Sequence, residues 1–219
     1  MAAAAAAAPA SSLPSSSSSY SLWFAPAQGS SVRAVLEREI ATQAAKHGTA
    51  RFEPHVTLLG DLRCAGDAQA LGAAEAFARR SPRFRVPFLG VATGATVYQC
   101  VLLRCANEGA LPAANARMRQ VCAELGVRQG EAAAGAAFAP HLSLLYAPLD
   151  DRQRAEAAAE ATARLYGPES DYRTLLADDG FDARTVSLWH TPPDDPSLAS
   201  WRLVAELPLG EGGEGGGGD

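Results

Sequence analysis

The chain has 219 residues, 47% of them hydrophobic and 20% charged, with a net charge of −5 and a pI near 5.4. That length bounds the fold to one domain or two small, closely packed lobes. An acidic chain whose one lysine is Lys46 has no overall field for a nucleic-acid backbone; a stable nucleic-acid complex is not expected, and any phosphate ester must be held by local groups.

The opening "MAAAAAAAPASSLPSSSSSY" lacks the positive n-region of a secretory signal. Residues 1–18 read as a disordered Ala/Ser-rich tail, with an organelle address as the alternative; the expected location is cytoplasmic. No stretch is apolar for the ~18 residues of a membrane span. Residues 20–26, "YSLWFAP", predict a strand. In "SSVRAVLEREIATQAAKHG", Val32, Val35, Leu36 and Ile40 recur at helical spacing, a serine can cap the start, and Gly48 stops the helix. A strand "FEPHVTLL" follows, then an alanine-rich helix ending before Pro82. Residues 83–106 predict two or three strands, with residues 98–105 the most β-like. "ALPAANARMRQVCAELGV" is a helix with proline in its first turn and Gly126 at its end. A second octet strand, "FAPHLSLL", precedes a helix capped by aspartate and stopped by Gly167-Pro168. "DARTVSLWHTPP" and "SWRLVAELPL" are the last strands, joined by the turn "PDDPSL". "ESDYRTLLADDG" reads as a polar surface loop, and residues 210–219 as a glycine-rich disordered tail. The folded domain is thus expected over 19–209.

The octets at 52–59 and 138–145 share five of eight positions. Each lies between two helices, which makes the chain a long-period duplication. In a strand, residues two apart share a face. His55 and Thr57 therefore point one way and Val56 and Leu58 the other; His141 and Ser143 match the first set, Leu142 and Leu144 the second. Phe52 and Phe138 fall on the core side. An imidazole beside a hydroxyl is a phosphate-binding pair: the hydroxyl donates to a non-bridging oxygen, and the imidazole takes or gives a proton. Opening a cyclic phosphodiester needs both proton transfers, on opposite sides of phosphorus. Two lobes related by a pseudo-two-fold axis supply two facing histidines.

"PHVTLL" and "PHLSLLY" resemble the twin His-x-Thr/Ser signatures of the 2H phosphoesterase superfamily. With "YSLWFAP", "RFEPHVTLLG" and "YQCVLL" in the same order, residues 20–150 are similar to plant-type cyclic phosphodiesterases. The resemblance implies a bilobal α+β fold, with two antiparallel sheets forming a cleft and helices outside. It implies hydrolysis of ADP-ribose 1″,2″-cyclic phosphate to the 1″-phosphate, downstream of tRNA splicing, and of nucleoside 2′,3′-cyclic phosphates to 2′-phosphates, with no cofactor and no metal. It implies His141 as the base and His55 as the acid; the residues themselves, nearly interchangeable, leave the direction open. Thr57 and Ser143 would hold phosphate oxygens. Tyr146 matches the family's second motif, although strand parity places it opposite His141, so a bulge or strand end must redirect it.

Trp23, Trp189 and Tyr98 are candidate adenine-stacking rings or core residues, and Arg51 a candidate for the substrate pyrophosphate. His47 reads as a helix-end cation and His190 as a surface strand residue. Cys64, Cys100, Cys105 and Cys122 form no Cys-x-x-Cys and no zinc spacing; free thiols are expected, one or two disulfides being the alternative. The expected partner is a small-molecule cyclic phosphate, and the protein is expected to be a monomer. An RNA-end phosphodiesterase or 2′–5′ ligase-like enzyme, a binding module without turnover, and an interaction protein acting through its tail remain the competing readings.

Overall fold

The computed structural model describes residues 17–130, 135, 137–168 and 179–210. Nine strands and four α-helices are found among them: β1 (Ser18–Phe24), α1 (Ser31–His47), β2 (Val56–Cys64), α2 (Asp67–Arg79), β3 (Phe84–Thr93), β4 (Val101–Cys105), α3 (Ala110–Glu124), β5 (Arg128–Gln129), β6 (His141–Leu145), α4 (Asp151–Tyr166), β7 (Gly180–Ala183), β8 (Thr185–His190) and β9 (Arg202–Pro208). Helix signals act where the sequence places them. The Ser30 hydroxyl accepts from the Arg33 N–H at the start of α1, and Gly48, at φ 65°, ends it. Asp150 and Gln153 form a reciprocal capping box on α4.

All strand pairs are antiparallel, in the order β7-β3-β4-β6-β2-β1-β8-β9, with β5 on the far end of β2. The two expected sheets are the halves of this order. They meet at one residue pair, Val56 on β2 opposite Leu142 on β6. These are equivalent positions of the two octets, so the pseudo-two-fold axis passes between them. Helices α2 and α3 pack on the β2 half and α1 and α4 on the β6 half. Each repeat thus lends elements to the other lobe. Buried Glu39 ties α1 to α4 by accepting from Arg164 at 2.8 Å, and Arg80, the residue that caps the end of α2, pairs with Glu124 on α3.

Two predicted elements divide differently. Residues 98–99 sit in a 3-10 turn (Val97–Gln99), and the strand starts only at Val101. "DARTVSLWH" is two strands. β7 pairs with β3 at one edge of the order, β8 with β1 in the other half, and Arg184 alone links them. One residue advances the chain by only about 3.8 Å, so the sheet must curl until its ends meet. Beside this closure Gly210, assigned to the tail, pairs with Pro82, and Ser18 already belongs to β1. Residues 1–16 and 211–219 of the tails, and residues 169–178 of the expected surface loop, lie outside the described residues.

Both octets carry the same irregularity. On β2, Leu58 and Leu59 together oppose Leu22; on β6, Leu144 and Leu145 together oppose Val101. This is a bulge at the same position of each copy. It explains the doubled leucine: all four are buried, each burial contributing roughly 1.5–3 kcal/mol. The bulged Leu58 carbonyl is not wasted, since buried Asn115 of α3 donates to it at 2.6 Å. Beyond the bulge the side-chain parity is reset, and the next residue, Gly60 or Tyr146, faces the cleft. The redirection that Tyr146 required is therefore supplied.

Candidate active site

His55 and His141 line one cleft of about 520 Å³, together with Thr57, Ser143 and Tyr146. The Val56–Leu142 pair fixes why. In an antiparallel register centred there, His55 is opposite Ser143 and Thr57 opposite His141, all on one face. The histidines are diagonal neighbours, a separation of roughly 7–8 Å between backbones, leaving room for a phosphorus centre between the rings.

Each imidazole is set by the same local device. His55 Nδ1 lies 2.6 Å from the Glu53 carbonyl and His141 Nδ1 lies 2.8 Å from the Ala139 carbonyl, in both cases two residues back. A carbonyl can only accept, so Nδ1 carries the proton and Nε2 is left for chemistry. The proline between, Pro54 or Pro140, sets the extended approach that brings this carbonyl round. Behind His55, buried Arg33 holds the Glu53 carboxylate at 2.7 Å and that of Glu37 at 2.7 Å, which steadies the segment carrying the carbonyl.

The surroundings of the two rings differ. Trp23 lies flat on His55, with centroids 3.6 Å apart and planes at 12°, and Trp189 stacks on Trp23 in turn. Tyr146 stacks on Phe52, 3.8 Å away, closing the same side. Burial, opposed by the Glu53 carbonyl and reinforced by the nearby His141, lowers the His55 pKa to about 4. His141 is half-buried and stands clear of these rings. The Ser143 hydroxyl donates to the Tyr98 carbonyl at 2.9 Å, whereas the Thr57 hydroxyl makes no hydrogen bond among the described residues. Burial raises the Tyr146 pKa, with the Ser143 hydroxyl acting the other way, so the phenol stays protonated.

Among the other candidates, Trp23 and Tyr98 do line the cleft, while Trp189 sits behind Trp23 beside Arg33 and Glu53. Arg51 is exposed and is not part of the cleft wall. His47 is not the expected helix-end cation: burial and the Lys46 charge lower its pKa, and its Nε2 is buried without a partner. His190 packs edge-on to Tyr20 at the end of β8. The four cysteines are free and buried; burial pushes Cys64 and Cys122 up to about 11 and Cys105 to about 12, so none is a ready nucleophile. Among the described residues no cluster of three or more His, Cys, Asp or Glu could hold a metal ion.

Sequence reading missed Trp201, which reaches the cleft from the turn between β8 and β9. Its indole N–H donates to the Pro192 carbonyl at 3.2 Å, and Asp195 pins the turn by accepting from the Ser197 and Ser200 backbones at 2.9 and 2.7 Å. The Ser197 and Ser200 hydroxyls, with these backbone bonds, hold the Asp195 carboxyl below the usual carboxylate range. The "PDDPSL" turn marked the loop, but nothing local said where it points. Arg104, also not singled out in the sequence, lies opposite His141 in the strand register.

A pseudo-symmetric α+β cleft with an imidazole and a hydroxyl from each half has the architecture of a two-histidine phosphoesterase. The family described as cyclic phosphodiesterase-like protein matches residues 18–179, and this chain belongs to it, within the 2H phosphoesterases. A 2′,3′-cyclic-nucleotide 3′-phosphodiesterase of Eremothecium gossypii is 39% identical over 114 residues, which is 45% of this chain. The match spans 51%, about half, of that relative's length. In fold, the chain is similar to E. coli LigT complexed with 3′-AMP (TM-score 0.55, 14% identity, 90% of this chain and 100% of that one). A Thermus thermophilus protein, TT0787, is comparable (TM-score 0.53, 17% identity, 89% of this chain and 99% of that one). No described helix is long and apolar enough to cross a membrane.

Proposed function

We propose that this chain hydrolyses nucleotide cyclic phosphates by two-histidine acid–base catalysis, opening nucleoside 2′,3′-cyclic phosphates to 2′-phosphates and ADP-ribose 1″,2″-cyclic phosphate to ADP-ribose 1″-phosphate. One observation carries the reading: Val56 pairs with its own repeat-mate Leu142, which sets both His-x-Thr/Ser units on one face of one cleft. Family membership and the activity for which the Eremothecium relative is named support it. His141 Nε2 accepts a proton from water as the water oxygen bonds to phosphorus. The bond from phosphorus to the ribose oxygen breaks, and that oxygen takes the proton from His55 Nε2. Thr57 and Ser143 donate to the non-bridging oxygens as charge grows there. In the free enzyme His55 is neutral at pH 7, because its pKa is about 4. A bound phosphodiester anion favours the imidazolium against the burial that Trp23 imposes, so His55 takes up the acid proton from solvent as the substrate binds. Tyr98 and Trp201, 6.4 Å apart at 28°, offer faces for an adenine.

The test is incubation with adenosine 2′,3′-cyclic phosphate and with ADP-ribose 1″,2″-cyclic phosphate in excess chelator, the product isomers being identified by phosphorus NMR. Release of the 2′-phosphate and the 1″-phosphate is expected. Absence of product, or a 3′-phosphate in place of the 2′, overturns the reading.

A further inference from the structure

Arg104 on β4 lies directly across from His141 in the strand register. Cross-strand partners send their side chains to the same face, so the guanidinium emerges beside the imidazole. The rest of the strand, Val101, Leu102, Leu103 and Cys105, is buried, and Arg104 alone is exposed. Arg33, Arg63, Arg80, Arg85, Arg164 and Arg202 each have a carboxylate partner. Arg104 has none among the described residues.

The space beside it is formed. A second cavity of about 370 Å³, lined by Arg104, Asn107, Thr93, Gln99 and His141, shares Gln99 and His141 with the main cleft. A molecule whose phosphorus lies between the histidines can therefore continue past His141 into it. The feature is not part of the duplication: extending the β1–β2 register by one step puts Ala25 opposite His55. The carboxylate that lines the main cleft, Asp61, is already held by Arg63 at 2.7 Å.

We propose that Arg104, with the amides of Asn107 and Gln99, forms a second anion subsite for the phosphate on the 5′ oxygen of the ribose that bears the cyclic phosphate. The enzyme would then prefer 5′-phosphorylated or pyrophosphate-linked substrates over those ending in a free 5′ hydroxyl. A guanidinium presents a planar fork to two phosphate oxygens at once, and an exposed one loses little hydration in doing so. This deepens the cyclic phosphodiesterase reading above and rests on it for the position of the ribose.

The experiment is calorimetric titration of the full chain and of Arg104→Leu and Arg104→Lys with adenosine 2′-phosphate and adenosine 2′,5′-bisphosphate. The wild type should bind the bisphosphate about tenfold or more tightly. The ratio should collapse toward one in Arg104→Leu and lie between in Arg104→Lys, which keeps the charge but loses the fork. A ratio near one in the wild type, or one that survives Arg104→Leu, overturns the subsite. Hydrolysis of adenosine 2′,3′-cyclic phosphate, run in parallel, separates the two claims. Turnover without bisphosphate preference sinks the subsite alone; bisphosphate preference without turnover sinks the reaction and leaves an anion site.

Discussion

The two half-sites were written by the same octet, yet they have become different environments. His55 is buried under Trp23 and walled by Phe52 and Tyr146, while His141 is open and flanked by Arg104. The backbone device is preserved in both: carbonyl two residues back, Nδ1 bonded, Nε2 free, bulge three residues on. What diverged lies on the neighbouring strands and just past each bulge. Opposite the octet hydroxyl stands Trp23 in one lobe and Leu102 in the other; after the bulge stands Gly60 in one and Tyr146 in the other. Duplication fixed the position of the two imidazoles, and their differing neighbours set how deeply each is buried.

The largest expected effect breaks the symmetry chemically. His55→Ala and His141→Ala should each lower turnover of a cyclic phosphate by about 10²–10⁴. A p-nitrophenyl phosphodiester, whose leaving group needs no proton, should recover activity in the acid-lacking His55→Ala and not in His141→Ala. The opposite pattern of recovery would reverse the roles. Next, Thr57→Ala should cost about 10²–10³ in kcat if its free hydroxyl serves the developing charge. Ser143→Ala should cost less, because that hydroxyl is already bonded to the Tyr98 carbonyl; equal losses would mean the two hydroxyls are equivalent in the complex.

Stability against pH tests the buried ring. With the His55 pKa lowered from 6.5 to about 4, the unfolded chain binds the extra proton between those values. The contribution of neutral His55 is fully present above pH 6.5 and is lost as pH falls through the window, on the order of 3 kcal/mol in all. Denaturant titrations at pH 7, 5 and 4 should show that loss, and His55→Phe should show less of it. Trp23→Ala should bring the His55 pKa back toward 6.5, read by NMR of its ring protons; an unmoved value would show that the indole is not the cause. The smallest effect belongs to the outer wall. Asp195→Ala frees the turn carrying Trp201 and should raise KM severalfold with kcat nearly unchanged, by steady-state kinetics.

How much of this was legible beforehand depended on where the information resides. Helix caps, breaks and the octet alternation are local, and Ser30, Gly48 and Asp150 act as the sequence implies. Arg51, adjacent in sequence to the octet, stayed outside the cleft, while Trp201, distant in sequence, came to it, and Arg104 lines the cavity next to it. Tyr98 belongs to the cleft, but from a 3-10 turn and not from a strand.

By itself the sequence determined that the fold is duplicated, that each copy sets an imidazole and a hydroxyl on one strand face, and that the opposite face is core, because these follow from residue type and a period of two. Only the tertiary structure decided that Val56 pairs with Leu142, that a bulge turns Tyr146 inward, and that one histidine is stripped of water while its twin keeps an arginine for company. Cross-strand register and burial depend on partners dozens of residues away, and no local pattern encodes them.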